Sequence, residues 1–145
     1  MQIDHDAPLS AKKDILISAP LERVWSELTN IDQWSKWQPG LTSSKLDGKL
    51  TTGTKFYWKA KGFNITSTLQ IVDQMQSIGW TGKSLGMQAI HIWRFEKHPD
   101  GTFVQTEESL SGWFPRLLKL FDPKFLETSL QNSLQILKAH VEGLQ

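Results

Sequence analysis

His91 and Glu108 are the two side chains of this sequence whose types and spacing could move a proton. They stand in "MQAIHIWRFEK" and "TFVQTEESLS", two runs rich in branched and aromatic residues and separated by the turn signal "HPDG". In a hairpin of these runs side chains alternate. Ala89, His91, Trp93 and Phe95 share one face, and Val104, Thr106, Glu108 and Leu110 form one set on the returning strand. A two-residue turn at Asp100-Gly101 pairs Trp93 with Glu108 and His91 with Leu110. A loop from His98 to Gly101 pairs Lys97 with Thr102 and sets His91 opposite Glu108. Both registers join odd residues to even ones, so His91 and Glu108 are neighbours on one face unless a bulge intervenes. A carboxylate among Trp93 and Phe95 has its pKa raised, while a nearby imidazolium lowers it. Such a pair can act as acid and base on an enolisable ketone, the proton movement that cyclisation and dehydration require. The other reading is a polar patch in an apolar wall that orients a ligand without reacting.

Other chemistry is scarce. The four histidines (His5, His91, His98, His140) match no metal-ligand spacing, and cysteine is absent, so neither a metal nor thiolate chemistry is expected. No serine sits in a nucleophile elbow and no glycine loop could cradle a phosphate, so no cofactor is expected either. Sixteen Lys+Arg against fifteen Asp+Glu leave a net charge of +1 without a basic run, which argues against a nucleic-acid partner. The start, "MQIDHDAPLSAKK", has no apolar core of a leader, and no run approaches membrane-spanning length. No integral membrane contact and a cytoplasmic location are the expectations. Arg94 falls on the opposite face of its strand and reads as solvated; Lys59 and Lys61 read as strand-edge charges.

The elements that must position the pair follow from pattern. Residues 11–18, "AKKDILIS", read as a strand of loose register after a loose lead over residues 1–10. Ser18 is a candidate cap for the helix of "APLERVWSEL", in which Leu21, Val24, Leu28 and Ile31 recur on one face. Asp32 can cap a second short helix carrying Trp34 and Trp37, ended by Pro39-Gly40. Turn signals at "LDGK", "TTGT", "AKGF" and "HPDGT" then divide an antiparallel meander with strands near 41–47, 54–61, 63–73, 77–84, 87–97 and 102–111. Residues 113–121 read as helical. Asp122-Pro123 reads as the start of a long helix whose stripe is Leu126, Leu130, Leu134, Leu137, Val141 and Leu144. Residues 1–145 form one domain of α+β class. About seven curved antiparallel strands wrap the long C-terminal helix, and two short helices follow the first strand.

"ISAPLERVWSELTNIDQWSKWQPG", "GTKFYWKAKG", "HIWRF" followed by "DGTFVQTEESLSG", and the long terminal helix resemble the polyketide cyclase/dehydrase group of the START-like (SRPBCC) superfamily. The resemblance covers roughly residues 10–143. It implies a helix-grip architecture, a sheet gripping the C-terminal helix around an apolar cavity. It implies activities that range from lipid and hormone binding to transport, polyketide cyclisation and co-chaperone work. It carries no universal catalytic motif, so the site rests on the residues.

The ligand-binding set read from the sequence is His91, Trp93, Phe95, Thr106, Glu108, Trp80, Trp37, Trp113, Ser129 and Ser133, with Asn64 added at the sheet's edge. Seven tryptophans and seven phenylalanines against one tyrosine suit an aromatic interior or an aromatic-walled pocket. Trp58 and Trp80 read first as core and second as ligand contacts. Trp113 and Phe114 read as helix anchors or as a mouth, where the family's cavity opens. Ser129 and Ser133 make room beside the leucine stripe. Trp34 and Trp37 read as a clasp tying the short helices to the sheet, with cavity closure second. The primary expectation is binding, or transport, of an apolar small molecule such as a lipid, polyketide or aromatic metabolite. The alternative is a cofactor-free cyclase or dehydratase using His91 and Glu108. A third class, a protein-interaction module, predicts an exposed apolar patch.

Overall fold

The computed structural model describes residues 1–144. Strand β1 (Leu9–Ile17) leads into helix α1 (Leu21–Thr29) and a 3-10 helix (Ile31–Lys36). Six strands follow: β2 (Leu41–Leu46), β3 (Lys55–Ala60), β4 (Phe63–Asp73), β5 (Ser77–Ser84), β6 (Met87–His98) and β7 (Gly101–Ser111). Helices α2 (Trp113–Phe121) and α3 (Phe125–Glu142) complete the chain. The strands form one antiparallel sheet in the order β1-β7-β6-β5-β4-β3-β2. This is the helix-grip arrangement.

Two register shifts bend the sheet, between Leu41 and Ser43 in β2 and between Leu69 and Ile71 in β4. A bulge adds a residue to one strand and sharpens its twist, so the sheet curls around what lies on its concave face. That face carries Trp58, Leu69, Trp80, His91, Trp93 and Val104, as alternation along paired strands requires. Against it lies α3, whose Leu126, Leu130, Leu134, Leu137 and Val141 are buried. The stripe stops there: Leu144 is exposed, one residue beyond the helix-ending Gly143.

Several helix starts differ from expectation. The N-cap of α1 is Pro20, and no side-chain cap bond forms; the Ser18 amide instead donates to Glu142 Oε2 at 2.9 Å. Asp32 lies inside the 3-10 helix, and its carboxylate accepts from the Leu46 amide at 2.7 Å, tying that helix to β2. Helix α3 begins after Lys124, and Asp122 closes α2. In each case a tertiary partner, or the break between α2 and α3, claims the residue that local pattern would make a cap.

The N-terminal lead is fixed rather than loose. β1 begins at Leu9, Ile3 is buried, and the Asp4 amide donates to Ser109 Oγ at 3.0 Å. Ser109 pairs with Ile90, so it stands on the convex face, and the lead crosses that face. There Ile92 is buried although its neighbours along the strand point inward. Arg94 also stands on the convex face, yet it is an ion-pair member: its Nη1 lies 2.8 Å from Oε1 of the nearly buried Glu107.

Candidate functional site

A cavity of about 420 Å³ lies between the concave face and α3. Its sheet wall is Trp58, Trp80, His91, Trp93 and Glu108. Its helix wall includes Ser129, Leu130, Ser133 and Leu137. Trp34 and Trp37 close one end, while Phe63, Phe114, Leu118 and Phe125 stand at the other.

The β6–β7 hairpin places the polar pair. Lys97 faces Thr102 and His91 faces Glu108, the register of the longer loop. Both residues share the concave face with Trp80 and Trp93, whose rings lie 5.1 and 5.4 Å from the imidazole. His91 Nδ1 is 3.3 Å from Glu108 Oε2, and His91 Nε2 shares a 2.8 Å hydrogen bond with the fully buried Thr106 hydroxyl. Burial strips water from both titratable groups. It pushes Glu108 up to about 8 and His91 down to about 3. At neutral pH the close pair is a carboxylic acid beside a neutral imidazole rather than an ion pair. Coulomb attraction across 3.3 Å would favour the charged pair, but the loss of hydration of both ions outweighs it.

The remaining aromatics divide between scaffold and wall. Trp34 is buried, donates from Nε1 to the Leu28 carbonyl at 2.8 Å, and packs edge-on against Phe56 and Trp58. Trp37 stacks on His140 with centroids 4.5 Å apart and planes 2° apart, and His140 Nε2 holds Glu27 Oε1 at 2.7 Å. Trp34 thus ties the 3-10 helix to β3, while Trp37 ties its end to α3 rather than to the sheet, and both indoles also wall the cavity. Trp58 and Trp80 serve core and wall together, with Trp58 Nε1 donating to Ser67 Oγ at 3.0 Å.

Four residues of the expected set stand off the cavity wall. Phe95 lies outside the cavity wall, because α1 covers its end of the concave face and Trp25 packs edge-on against it at 5.4 Å. Thr106 is also outside the wall and acts through its bond to His91. Trp113 is 60% exposed and packs on the Gly86 backbone, while its neighbour Phe114 takes the wall position. Asn64 is exposed on an interior strand and faces away from its wall-lining neighbours Phe63 and Ile65. Ser129 and Ser133 line the cavity, linked by a 3.0 Å bond from the Ser133 hydroxyl to the Ser129 carbonyl.

Lys61, a strand-edge charge on the sequence reading, instead lines the cavity from a turn, and Gln38 and Asn132 line it too. Lys61 and Gly62 form the two-residue turn between β3 and β4, with φ of 52° and 83°. Positive φ at both positions is the primed hairpin geometry. It turns the lysine toward the mouth, where its Nζ lies 5.6 Å from the Phe125 ring centroid. The "KG" dipeptide signals the turn, but not which end of the cavity the turn borders. Among the described residues no group of three or more acidic, histidine or cysteine side chains could hold a metal ion.

Solved structures share this fold at low identity. A hypothetical protein, jhp0584, from Helicobacter pylori is 18% identical with a TM-score of 0.83, over 96% of this chain and 91% of that one. A START superfamily protein from Mycobacterium smegmatis is 13% identical with a TM-score of 0.77, over 94% and 99%. The di-domain ARO/CYC BexL from the BE-7585A biosynthetic pathway is 17% identical with a TM-score of 0.70; the match covers 92% of this chain and 50% of BexL. No curated protein sequence matches the chain. Residues 8–142 match the sequence model of the family described as polyketide cyclase/dehydrase and lipid transport, and the chain belongs to that family.

Proposed function

We propose that this protein binds an apolar small molecule, a lipid, a polyketide or another aromatic metabolite, between the sheet and α3. The observation that carries this reading is the cavity, whose 420 Å³ falls within the roughly 300–1,000 Å³ of small-molecule sites. Indole, phenyl and leucine walls supply apolar contact. Glu108 and His91 on one side and Ser129, Asn132 and Ser133 on the other can fix orientation. With Glu108 protonated, the Glu108–His91 pair offers a neutral donor and no cation of its own, which suits a carbonyl or hydroxyl oxygen better than an anion.

A second reading is a cofactor-free cyclase or dehydratase, and the neutral acid–base couple favours it. Glu108 could protonate a ketone oxygen while His91 takes the α-proton, giving the enol. An imidazole whose conjugate acid lies near 3 is a weak base, however, so binding is the better supported role.

Native mass spectrometry of freshly purified protein, with extraction of what denaturation releases, tests the reading. A reproducible apolar molecule near unit stoichiometry is expected. Apo protein that takes up no apolar probe would overturn it. Turnover of a ketone substrate that is lost in both His91→Ala and Glu108→Gln would establish the enzyme instead.

A further inference from the structure

Helix α2, "WFPRLLKLF", is apolar on two sides. Phe114 and Leu118 wall the cavity. On the outside Trp113, Leu117, Leu120 and Phe121 are 60, 47, 79 and 79% exposed. Their spacing of four and three or four residues sets them along one stripe of the helix. Leu85, 78% exposed, extends the patch, because the Leu85-Gly86 turn lies under Trp113 and Gly86 O accepts from the Phe114 amide at 3.1 Å. Scattered exposed apolar residues are ordinary, but five large ones on one short helix and its supporting turn form a contiguous patch of the kind that marks an interaction site.

The charges around the patch select its occupant. The polar residues of α2 are Arg116 and Lys119, both exposed. Lys124 follows the helix and Lys83 precedes Leu85, while Asp122 is the acidic residue between Gly112 and Lys124. Among the described residues none of these four cations forms an ion pair. A second copy docked through the same face would set Arg116 and Lys119 against their own counterparts. An acidic headgroup layer above hydrocarbon answers both the cations and the apolar stripe.

We infer that α2 is a peripheral membrane-docking helix. It lays Trp113, Leu117, Leu120 and Phe121, with Leu85, into the interface of an anionic bilayer, and Arg116, Lys119 and Lys124 meet the headgroups. No helix among the described residues is long and apolar enough to cross a membrane, so the contact is superficial. The docking surface stands whatever the cavity holds.

The test is co-sedimentation of the full chain with phosphatidylcholine vesicles made with and without phosphatidylglycerol. Binding is expected on the anionic vesicles, weakening as salt is raised. Removing both exposed apolar tips in L120S/F121S should weaken it about tenfold or more. R116E/K119E should weaken it about fivefold or more for each charge. Both variants change exposed side chains, and an unchanged near-UV circular dichroism spectrum verifies their fold. No binding to anionic vesicles at low salt overturns the proposal, as does wild-type binding that both variants retain. Concentration-dependent dimers abolished by L120S/F121S, without vesicle binding, would assign the face to self-association and overturn it too.

Discussion

Trp113 covers Gly86 so closely that a methyl group on the Gly86 Cα would overlap the indole ring. Gly86 also has a φ of +69°, in the left-handed region that a Cβ disfavours. Gly86→Ala is therefore expected to destabilise the fold by about 2 kcal/mol. Replacing Trp113 by alanine as well removes the overlap but leaves the backbone cost. The double mutant should thus lose less than the sum of the single ones, as urea denaturation of the four proteins would report.

The His91–Glu108 couple predicts a stability maximum. Glu108, raised to about 8, keeps in the folded protein a proton that the unfolded chain releases, so stability falls as pH climbs from 4.5 to 8. His91, lowered to about 3, refuses a proton that the unfolded chain accepts, so stability falls as pH drops from 6.5 toward 3. Between 4.5 and 6.5 the two effects oppose each other and stability is highest. Limbs on the order of 1 kcal/mol per pH unit are expected on either side. Glu108→Gln should flatten the alkaline limb, and denaturation midpoints across the pH range check it.

Filling the cavity should separate binding from folding. Ser129→Leu adds bulk at a half-buried wall position whose neighbours leave open space. Stability is expected to change by about 1 kcal/mol or less, while uptake of an apolar fluorescent probe falls at least about tenfold. Unchanged uptake would place the probe elsewhere.

On the convex face, Arg94→Ala leaves the nearly buried Glu107 carboxylate without its cation. A loss of about 2 kcal/mol is expected, with most of it recovered when Glu107→Leu is added, since the cost lies in the orphaned charge. Thermal unfolding of the single and double variants distinguishes this from a solvated arginine, which would change nothing.

Alternation alone made the two faces of the β6–β7 hairpin legible, and the turn residues His98 to Gly101 made the pairing of His91 with Glu108 one of two readable registers. The leucine stripe of α3 was legible for the same reason, a period that matches its helix. What periodicity does not encode is position along a curved face. Phe95 shares its side with His91, but α1 closes over it, and nothing in "HIWRFEK" says where that helix lies. Trp113 and Phe114 are adjacent in a helix, so only one could face inward, and the choice depends on how α2 rests on Gly86. The apolar outer stripe of α2 was read as part of a helix, while its exposure required the tertiary arrangement.

The sheet order has a kinetic consequence. Strands β2 to β7 each pair with a sequence neighbour, so they can zip together hairpin by hairpin. β1 pairs only with β7, Leu9 facing Leu110 and Ile17 facing Thr102, and must wait for a loop spanning most of the chain to close. Of the seven strands of this sheet, the first to be synthesised is thus among the last to find its place. Leu9→Ala is expected to speed unfolding while leaving the refolding rate nearly unchanged, which stopped-flow kinetics would show as a shift confined to the unfolding limb. Until β7 forms, both edges of β1 lack a strand partner, and its Lys12, Lys13 and Asp14 hinder them from pairing with other chains during the wait.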